Sequence, residues 1–113
     1  MSDCIFCKII AGEIPARKAY EDDKILAFHD IRPAAPVHIL VTPKIHMDSL
    51  NDINQSNLDY VAHILAKIPE IAGSFGTIEG YRVITNIGEN GGQSVKHLHF
   101  HVIGGKKLPV RLG

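Results

Sequence analysis

The sequence has no tryptophan, only two cysteines and no excess of either charge: Lys and Arg number 12, and so do Asp and Glu. A chain without a net positive charge does not favour binding to nucleic acid. No apolar run approaches the roughly 18 residues that a membrane-spanning helix needs. The first ten residues, MSDCIFCKII, lack the basic start and long apolar stretch of a secretory signal. We therefore expect a cytoplasmic protein that binds neither nucleic acid nor membrane.

The 113 residues predict a single domain that spans residues 1–113. Apolar residues at helical spacing predict a first helix over residues 4–11, with Asp3 as its N-cap. A longer stretch of the same spacing predicts a second helix over residues 55–75. Pro69 lies inside that stretch, where it removes a backbone donor, so we expect a kink or a break there.

The strands are predicted from alternating apolar residues. They read KAYED, KILAFHD, VHILVTP, YRVITN and HLHFHVIGG, and the first two form a hairpin at Asp22 and Asp23. An antiparallel sheet with helices packed on it is an α+β fold.

Three histidines alternate with apolar residues within residues 96–105, KHLHFHVIGG: His97, His99 and His101. On a strand, alternate side chains share one face and lie about 6 to 7 Å apart. Three imidazoles suit a buried apolar face poorly, because each ring has two nitrogens that need partners. The pattern therefore favours metal binding or phosphate chemistry.

A glycine-bearing loop, GENGGQS, comes shortly before these histidines. Its backbone amides can approach an anion closely, and Gln93 and Ser94 add side-chain donors. Neutral imidazole is a competent nucleophile toward phosphorus, and its ordinary pKa near 6.5 leaves it largely unprotonated at pH 7. The combination predicts a two-step displacement at phosphate, with a phosphoryl-histidine-type intermediate that water releases.

The segment HLHFHVI resembles the histidine triad superfamily, whose members transfer or hydrolyse nucleotidyl groups at an α-phosphate. The likeness covers the whole chain through CIFCKIIAGEIPA, AFHDIRPAAPVHILVTPKIH and NGGQSVKHLHFHVIGG. These segments look like the Hint branch, the histidine triad nucleotide-binding proteins, and in particular like its bacterial, zinc-containing members. The resemblance implies a five-stranded antiparallel sheet with two helices, paired in a homodimer.

The same resemblance implies a hydrolase that acts on purine mononucleotides of the AMP or GMP type. Its substrates would be their 5′-phosphoramidate or acyl-phosphate derivatives, and the intermediate would be a nucleotidyl-histidine. His99 would be the nucleophile, His101 would contact phosphate and protonate the leaving group, and His38 would support the nucleophile. Asp30 would accept hydrogen bonds from both ribose hydroxyls. No metal is required for this chemistry.

The remaining positions implied by the resemblance fall into two sets. One would bind the α-phosphate or leaving-group atoms: Asn86, Gly92, Gln93 and Ser94. The other would form an apolar slot for the purine: Ile5, Phe6, Ile9, Phe28 and Ile31.

Cys4 and Cys7 lie one helical turn apart, so their sulfurs face the same way. In a reducing compartment this spacing fits metal ligands, a redox pair or two small buried residues. The resemblance implies a structural zinc ion whose other ligands would be His46 and His97, a Cys₂His₂ set. His29 and His63 are predicted to be surface or packing residues.

Three other functions remain open at the level of sequence. One is a dinucleoside polyphosphate hydrolase of the related Fhit type, and another is a nucleotide- or partner-binding module with incidental hydrolysis. The third is a structural zinc domain that binds no nucleotide. The C-terminal segment GGKKLPVRLG departs from the usual ending of the Hint branch, which leaves the leaving group and the choice between adenosine and guanosine undetermined.

Overall fold

The computed structural model describes residues 3–112. Its two α-helices are α1 (Ile5–Ile10) and α2 (Leu58–Ser74). Its strands are β1 (Lys18–Glu21), β2 (Ile25–His29), β3 (Val37–Pro43), β4 (Tyr81–Ile84) and β5 (Phe100–Gly104). Short 3-10 turns lie at Leu50–Asp52 and Glu89–Gly91.

The five strands form one sheet in the order β1-β2-β3-β5-β4, and every neighbouring pair is antiparallel. This confirms the α+β fold with five strands and two helices. The predicted hairpin is β1 and β2, and VHILVTP is β3 in full. β5 lies between β3 and β4, so the last histidine sits on an inner strand next to the strand that carries His38.

The two helices pack on opposite faces of this sheet, as the alternation of buried side chains shows. Ile39 and Val41 of β3 belong to the core under α2, together with Val61, Ile64 and Ile68. Leu26, Phe28 and Leu40 face the other way and pack against Phe6 and Ile9 of α1. Burying an aliphatic or aromatic side chain of this size contributes about 1.5–3 kcal/mol. α1 has only six residues and buries two of them, Phe6 and Ile9, so few apolar side chains hold it to the sheet.

Three local expectations differ from the structure. The N-cap of α1 is Cys4 and not Asp3, because the Cys4 sulfur accepts the amide of Cys7. Of the kink or break expected at Pro69, the break is absent: α2 continues through the proline, and buried residues on both sides of it, including Ile68 and Ile71, join the core on the sheet. The last strand begins at Phe100, so His97 and His99 precede it.

No helix among residues 3–112 is long and apolar enough to cross a membrane.

Candidate functional site

A cavity of about 640 Å³ opens on the α1 face of the sheet. This volume lies in the range of small-molecule sites, about 300–1,000 Å³. All five residues predicted for the purine slot line it, and so do four of the predicted polar residues. These nine are Ile5, Phe6, Ile9, Phe28, Ile31, Asp30, Ser94, His99 and His101.

The histidines project toward α1 although two of them precede the strand. Leu98, Phe100 and Val102 join the core under α2, which turns the alternate residues to the opposite side. The rings of His99 and His101 lie 5.1 Å apart, and the Phe6 ring lies 5.0 Å from that of His99. The backbone bends at His97, but its ring also lies on the α1 side, 6.0 Å from that of Phe6. The expected alternation of faces is therefore confirmed.

The hydrogen bonds of His99 define its tautomer. Its Nδ1 lies 2.7 Å from the carbonyl oxygen of His97. A carbonyl only accepts, so Nδ1 of His99 carries the proton and Nε2 has a bare lone pair. Burial lowers the pKa of His99, which keeps the ring neutral near pH 7.

His101 belongs to a second group, which we call the relay cluster: Asp30, His38 and His101. The backbone amide of Ala34 donates to Nδ1 of His38 at 2.9 Å, so the proton of a neutral His38 lies on Nε2. That Nε2 is 2.9 Å from Nδ1 of His101 and 3.5 Å from an oxygen of Asp30. His38 therefore contacts His101, and its effect on His99 is indirect.

The contact with His38 fixes the proton of His101 in turn. Because His38 donates to Nδ1, the proton of a neutral His101 lies on Nε2. Burial, together with the neighbouring His99 and His38, lowers the pKa of His101 to about 4. The adjacent rings of His99 and His101 thus present opposite groups, a lone pair and an N–H.

The predicted phosphate residues separate into two groups. Ser94 lines the cavity. The side chain of Gln93 makes its hydrogen bonds to the backbone: its carbonyl accepts the Gly88 amide at 2.9 Å, and its amide donates to the carbonyls of Asp48 and Val95. Asn86 braces the loop by donating to the carbonyl of Gly91 at 2.9 Å.

Gly92 is absent from the residues that line the cavity. It has a φ of 81°, in the left-handed region that favours glycine, so its clear role is to let the loop turn.

The predicted metal ligands do come together. In this group, which we call the cysteine cluster, one ligand atom each from Cys4, Cys7, His46 and His97 lies within 4.8 Å of the others. The Sγ of Cys4 is 3.3 Å from Nδ1 of His97, and the Sγ of Cys7 is 3.3 Å from Nδ1 of His46. Two ligands of one tetrahedral zinc, with bonds of 2.0–2.1 Å to nitrogen and 2.3 Å to sulfur, lie about 3.5 Å apart. The cluster could hold a metal ion.

The donor chemistry of the cysteine cluster also fits a metal. Nε2 of His97 lies 3.0 Å from the carbonyl of Pro43, and Nε2 of His46 lies 2.8 Å from the carboxylate of Asp48. Both partners are acceptors, so each ring keeps its proton on Nε2 and turns a bare Nδ1 toward the sulfurs. Burial lowers the pKa of His97 to about 4, so its ring stays neutral, as a metal ligand must be.

The cavity also includes residues that the sequence did not indicate. Leu40 belongs to the alternating pattern of β3, but that pattern does not distinguish a cavity residue from a residue of the core. Arg17 and Val95 lie in irregular segments where no periodicity indicates which way a side chain points. The cavity is completed by Ile14, Pro15, Ala16, His29 and Pro33.

The two histidines expected at the surface or in packing contacts are half-buried. The ring of His29 packs edge-on against Phe75, and burial, followed by the charge of Arg17, lowers its pKa. Nε2 of His63 lies 2.6 Å from the carboxylate of Asp22, where it ties α2 to the β1–β2 hairpin.

Comparisons with known proteins agree with this geometry. Residues 3–110 match the family model described as "Scavenger mRNA decapping enzyme C-term binding". Protein HitA of Neisseria gonorrhoeae is 46% identical over 104 residues, which cover 92% of this chain and 97% of that protein. A Rickettsia prowazekii relative described as an uncharacterized HIT-like protein is 50% identical over 92% of this chain and 88% of its own length.

Solved structures give the same result. A histidine triad protein from Clostridium difficile is 56% identical with a TM-score of 0.93, over 99% of this chain and 98% of that one. A HIT family hydrolase from Legionella pneumophila is 45% identical with a TM-score of 0.93, over 98% of this chain and all of that one. The chain belongs to the histidine triad (HIT) superfamily, within the family that the matching model describes.

Proposed function

We propose that this protein is a nucleotide hydrolase of the Hint branch that cleaves purine nucleoside 5′-phosphoramidates through a covalent nucleotidyl-His99 intermediate. One observation carries the proposal: two neighbouring rings on one cavity wall have opposite protonation at Nε2. His99 offers a lone pair because its Nδ1 donates to the carbonyl of His97. His101 offers an N–H because its Nδ1 faces the donor of His38. A nucleophile beside a proton donor is the pair that displacement at phosphorus needs.

The reaction has two displacements. In the first, Nε2 of His99 forms a bond to the α-phosphorus while the P–N bond of the substrate breaks, and the leaving nitrogen takes a proton from Nε2 of His101, which solvent replaces in the same step so that the His101 ring stays neutral. In the second, water attacks the same phosphorus, the P–N bond to His99 breaks, and the proton of the water passes to solvent. The mononucleotide is released and both histidines regain their starting states.

The cavity supports binding of a mononucleotide. Phe6 and Phe28 lie edge to face at 5.3 Å, and with the isoleucines they form an apolar wall suited to a purine. Asp30 lines the same cavity, and its carboxylate would accept hydrogen bonds from the ribose hydroxyls. Ser94, which also lines the cavity, would contact the phosphate. The chemistry of this wall suits AMP and GMP alike.

We further propose a structural zinc ion at the cysteine cluster, where it would be held by two thiolates and two imidazoles. The support is the pair of bare Nδ1 atoms turned toward the sulfurs. When bound, the ion would crosslink α1 to two distant segments of the chain.

A homodimer is the proposed assembly. The edge strand β4 leaves Val83 41% exposed, and Val110 and Leu112 of the C-terminal tail are fully exposed. A second copy would cover these apolar side chains. The proposed location is the cytoplasm, and the whole chain is proposed to act as one domain.

Mass spectrometry of the intact protein tests the intermediate. The protein is mixed briefly with adenosine 5′-phosphoramidate and quenched without acid. We expect an adenylyl adduct that is absent from His99→Ala, and a loss of turnover in that variant of about 10³-fold or more. His63→Gln is the matched control, because His63 contacts Asp22 and neither residue lines the cavity, and it should keep both adduct and turnover.

Three results would contradict the proposal. Equal adduct formation in His99→Ala would place the covalent bond on another residue. Faster turnover of diadenosine polyphosphate than of the phosphoramidate would favour the Fhit-type reaction. Binding of AMP without turnover of either compound would favour a binding module.

A further inference from the structure

The cysteine cluster is built from three segments of the chain, and each of them also supports the nucleotide cavity. Cys4 and Cys7 belong to α1 and its N-cap, His46 to the loop after β3, and His97 to the segment that leads into β5. In each segment, the proposed metal ligand or a residue within two positions of it contacts a residue that lines the cavity or the chain neighbour of one. The cluster is therefore placed to affect nucleotide binding without touching the nucleotide.

The first connection is α1 itself. Its cysteines lie on the side of the cluster, while Phe6 and Ile9 on its other side line the cavity. A helix of six residues has little stability of its own, so its position is set by what it packs on and what it is tied to. Fixing the two sulfurs would fix the position of this cavity wall.

The second connection runs through Asp48 and Gln93. The carboxylate of Asp48 accepts from the ligand His46, and its backbone carbonyl accepts from the side-chain amide of Gln93. Gln93 also holds Gly88 at the start of the glycine-bearing loop, and the next residue along, Ser94, lines the cavity. The same glutamine thus joins the segment of a proposed metal ligand to the loop that ends at Ser94 in the cavity wall.

The third connection is His97. Its ring points into the cysteine cluster, and its backbone carbonyl accepts the Nδ1 proton of His99 at 2.7 Å. The side chain of His97 is fully buried, and its other ring nitrogen lies 3.0 Å from the carbonyl of Pro43. A metal ion that fixes this ring would therefore also restrain the residue whose carbonyl orients the proposed nucleophile.

We propose that a divalent metal ion at the cysteine cluster is a positive effector of nucleotide binding, and that Gln93 is a positioning residue in this coupling rather than a phosphate ligand. The inference rests on the proposed function, since it concerns the same nucleotide site. Coupling between two sites is reciprocal: if the metal tightens nucleotide binding, the nucleotide must tighten metal binding by the same factor. Couplings between protein sites are typically about 5- to 150-fold.

Isothermal titration with AMP measures the coupling directly. Zinc-loaded and zinc-free protein are titrated, and circular dichroism is recorded to check that the zinc-free form is folded. We expect the Kd for AMP to be about tenfold lower in the loaded form. Equal Kd values in two folded forms would overturn the inference and leave the proposed function intact, whereas no AMP binding to either form would contradict the proposed function as well.

Two variants test the role of Gln93. Gln93→Ala breaks the bridge between the Asp48 segment and the loop, so the ratio of the two Kd values should fall to about threefold or less. Asn86→Ala is the matched control, because Asn86 braces the same loop at Gly91 without reaching the Asp48 segment, and it should keep the ratio of the wild type. A wild-type ratio in Gln93→Ala would overturn the assignment of Gln93.

Zinc release supplies a readout that does not depend on a folded metal-free form. The loaded protein is mixed with the chromophoric chelator 4-(2-pyridylazo)resorcinol at graded concentrations, with and without saturating AMP. AMP should raise the zinc affinity about tenfold in the wild type and by no more than about threefold in Gln93→Ala. Zinc affinity that does not respond to AMP in the wild type would overturn the inference.

Discussion

The cysteine cluster and the relay cluster look alike when only their side chains are considered. Each brings together two histidines and at least one anionic ligand type, and in each the ligand atoms lie within 4.8 Å of one another. They differ in the hydrogen bonds that the histidines make outside the cluster. His46 and His97 donate hydrogen bonds to a carboxylate and a carbonyl outside the cluster. His38 instead accepts a hydrogen bond at Nδ1 from the amide of Ala34.

This difference decides what each cluster can do. An imidazole binds a metal through a bare nitrogen, so a ring that donates outward is ready for a metal. In the relay cluster the Ala34 amide takes the lone pair of Nδ1 and leaves the proton of His38 on the nitrogen that faces His101. A metal ion bound at Nε2 of His38 would have to displace the proton on that nitrogen. The proton could not move to Nδ1, because Nδ1 already accepts the hydrogen bond from the Ala34 amide. The cysteine cluster is therefore suited to a metal and the relay cluster to moving a proton.

Replacing one histidine of each cluster by glutamine should give the largest effects and tests whether the two clusters have different roles. His101→Gln should lower kcat on adenosine 5′-phosphoramidate by about 10²- to 10⁴-fold, the range for loss of a general acid, and should leave the zinc content unchanged. His46→Gln should lower the zinc content instead. Steady-state kinetics and elemental analysis of the purified variants measure both effects. Zinc lost from His101→Gln but kept by His46→Gln would reverse the assignment of the two clusters.

Removing the metal should lower the thermal stability of the protein, and variants in each cluster should show which cluster holds that metal. A ligand at 100 times its Kd stabilises the folded state by about 2.7 kcal/mol, which for a domain of this size is a shift in Tm of roughly 10 °C. We therefore expect a chelator to lower the Tm of the wild type by about that amount, because α1 loses its crosslink. Differential scanning calorimetry with and without chelator measures the shift.

The control for this prediction comes from the relay cluster. His38→Gln alters a residue in contact with His101 but none of the proposed metal ligands, so it should keep the full chelator-dependent shift. His97→Gln should lose the shift. A chelator effect that disappears in His38→Gln would mean that the stabilising metal binds at the relay cluster.

Much of this arrangement was predictable from the sequence, because it depends on periodicity. Alternation in β3 put Leu40 and His38 on one face and Ile39 on the other, and the same alternation grouped the three histidines. The ligands of the cysteine cluster and the slot residues followed from the family resemblance, and the structure brings both sets together. These features are set by local geometry or by long motifs.

The parts that could not be predicted depend on single hydrogen bonds between distant segments. Nothing in the spacing of residues showed that Gln93 would reach Asp48, 45 positions earlier, so it resembled a phosphate ligand. The sequence also did not show that the Ala34 amide would fix the tautomer of His38. The start of β5 at Phe100, after His97 and His99, belongs to the same class, since the backbone bends at His97, whose ring contacts Cys4.

The smallest effect we predict concerns pH, and it sharpens the description of the relay cluster. Burial and the neighbouring His99 and His38 lower the pKa of His101 to about 4. With a pKa of about 4, roughly 1% of His101 is protonated at pH 6, whereas an ordinary histidine of pKa 6.5 would be about three-quarters protonated. Since a second proton on His101 would break its hydrogen bond to His38, kcat/KM should fall only well below pH 6.

The measurement is the pH profile of kcat/KM with zinc content determined at each pH, so that a loss of activity caused by metal loss at acid pH is recognised. An acid midpoint at pH 6.5 or above in fully loaded protein would show that a histidine with an ordinary pKa controls the reaction, which the buried relay cluster does not allow.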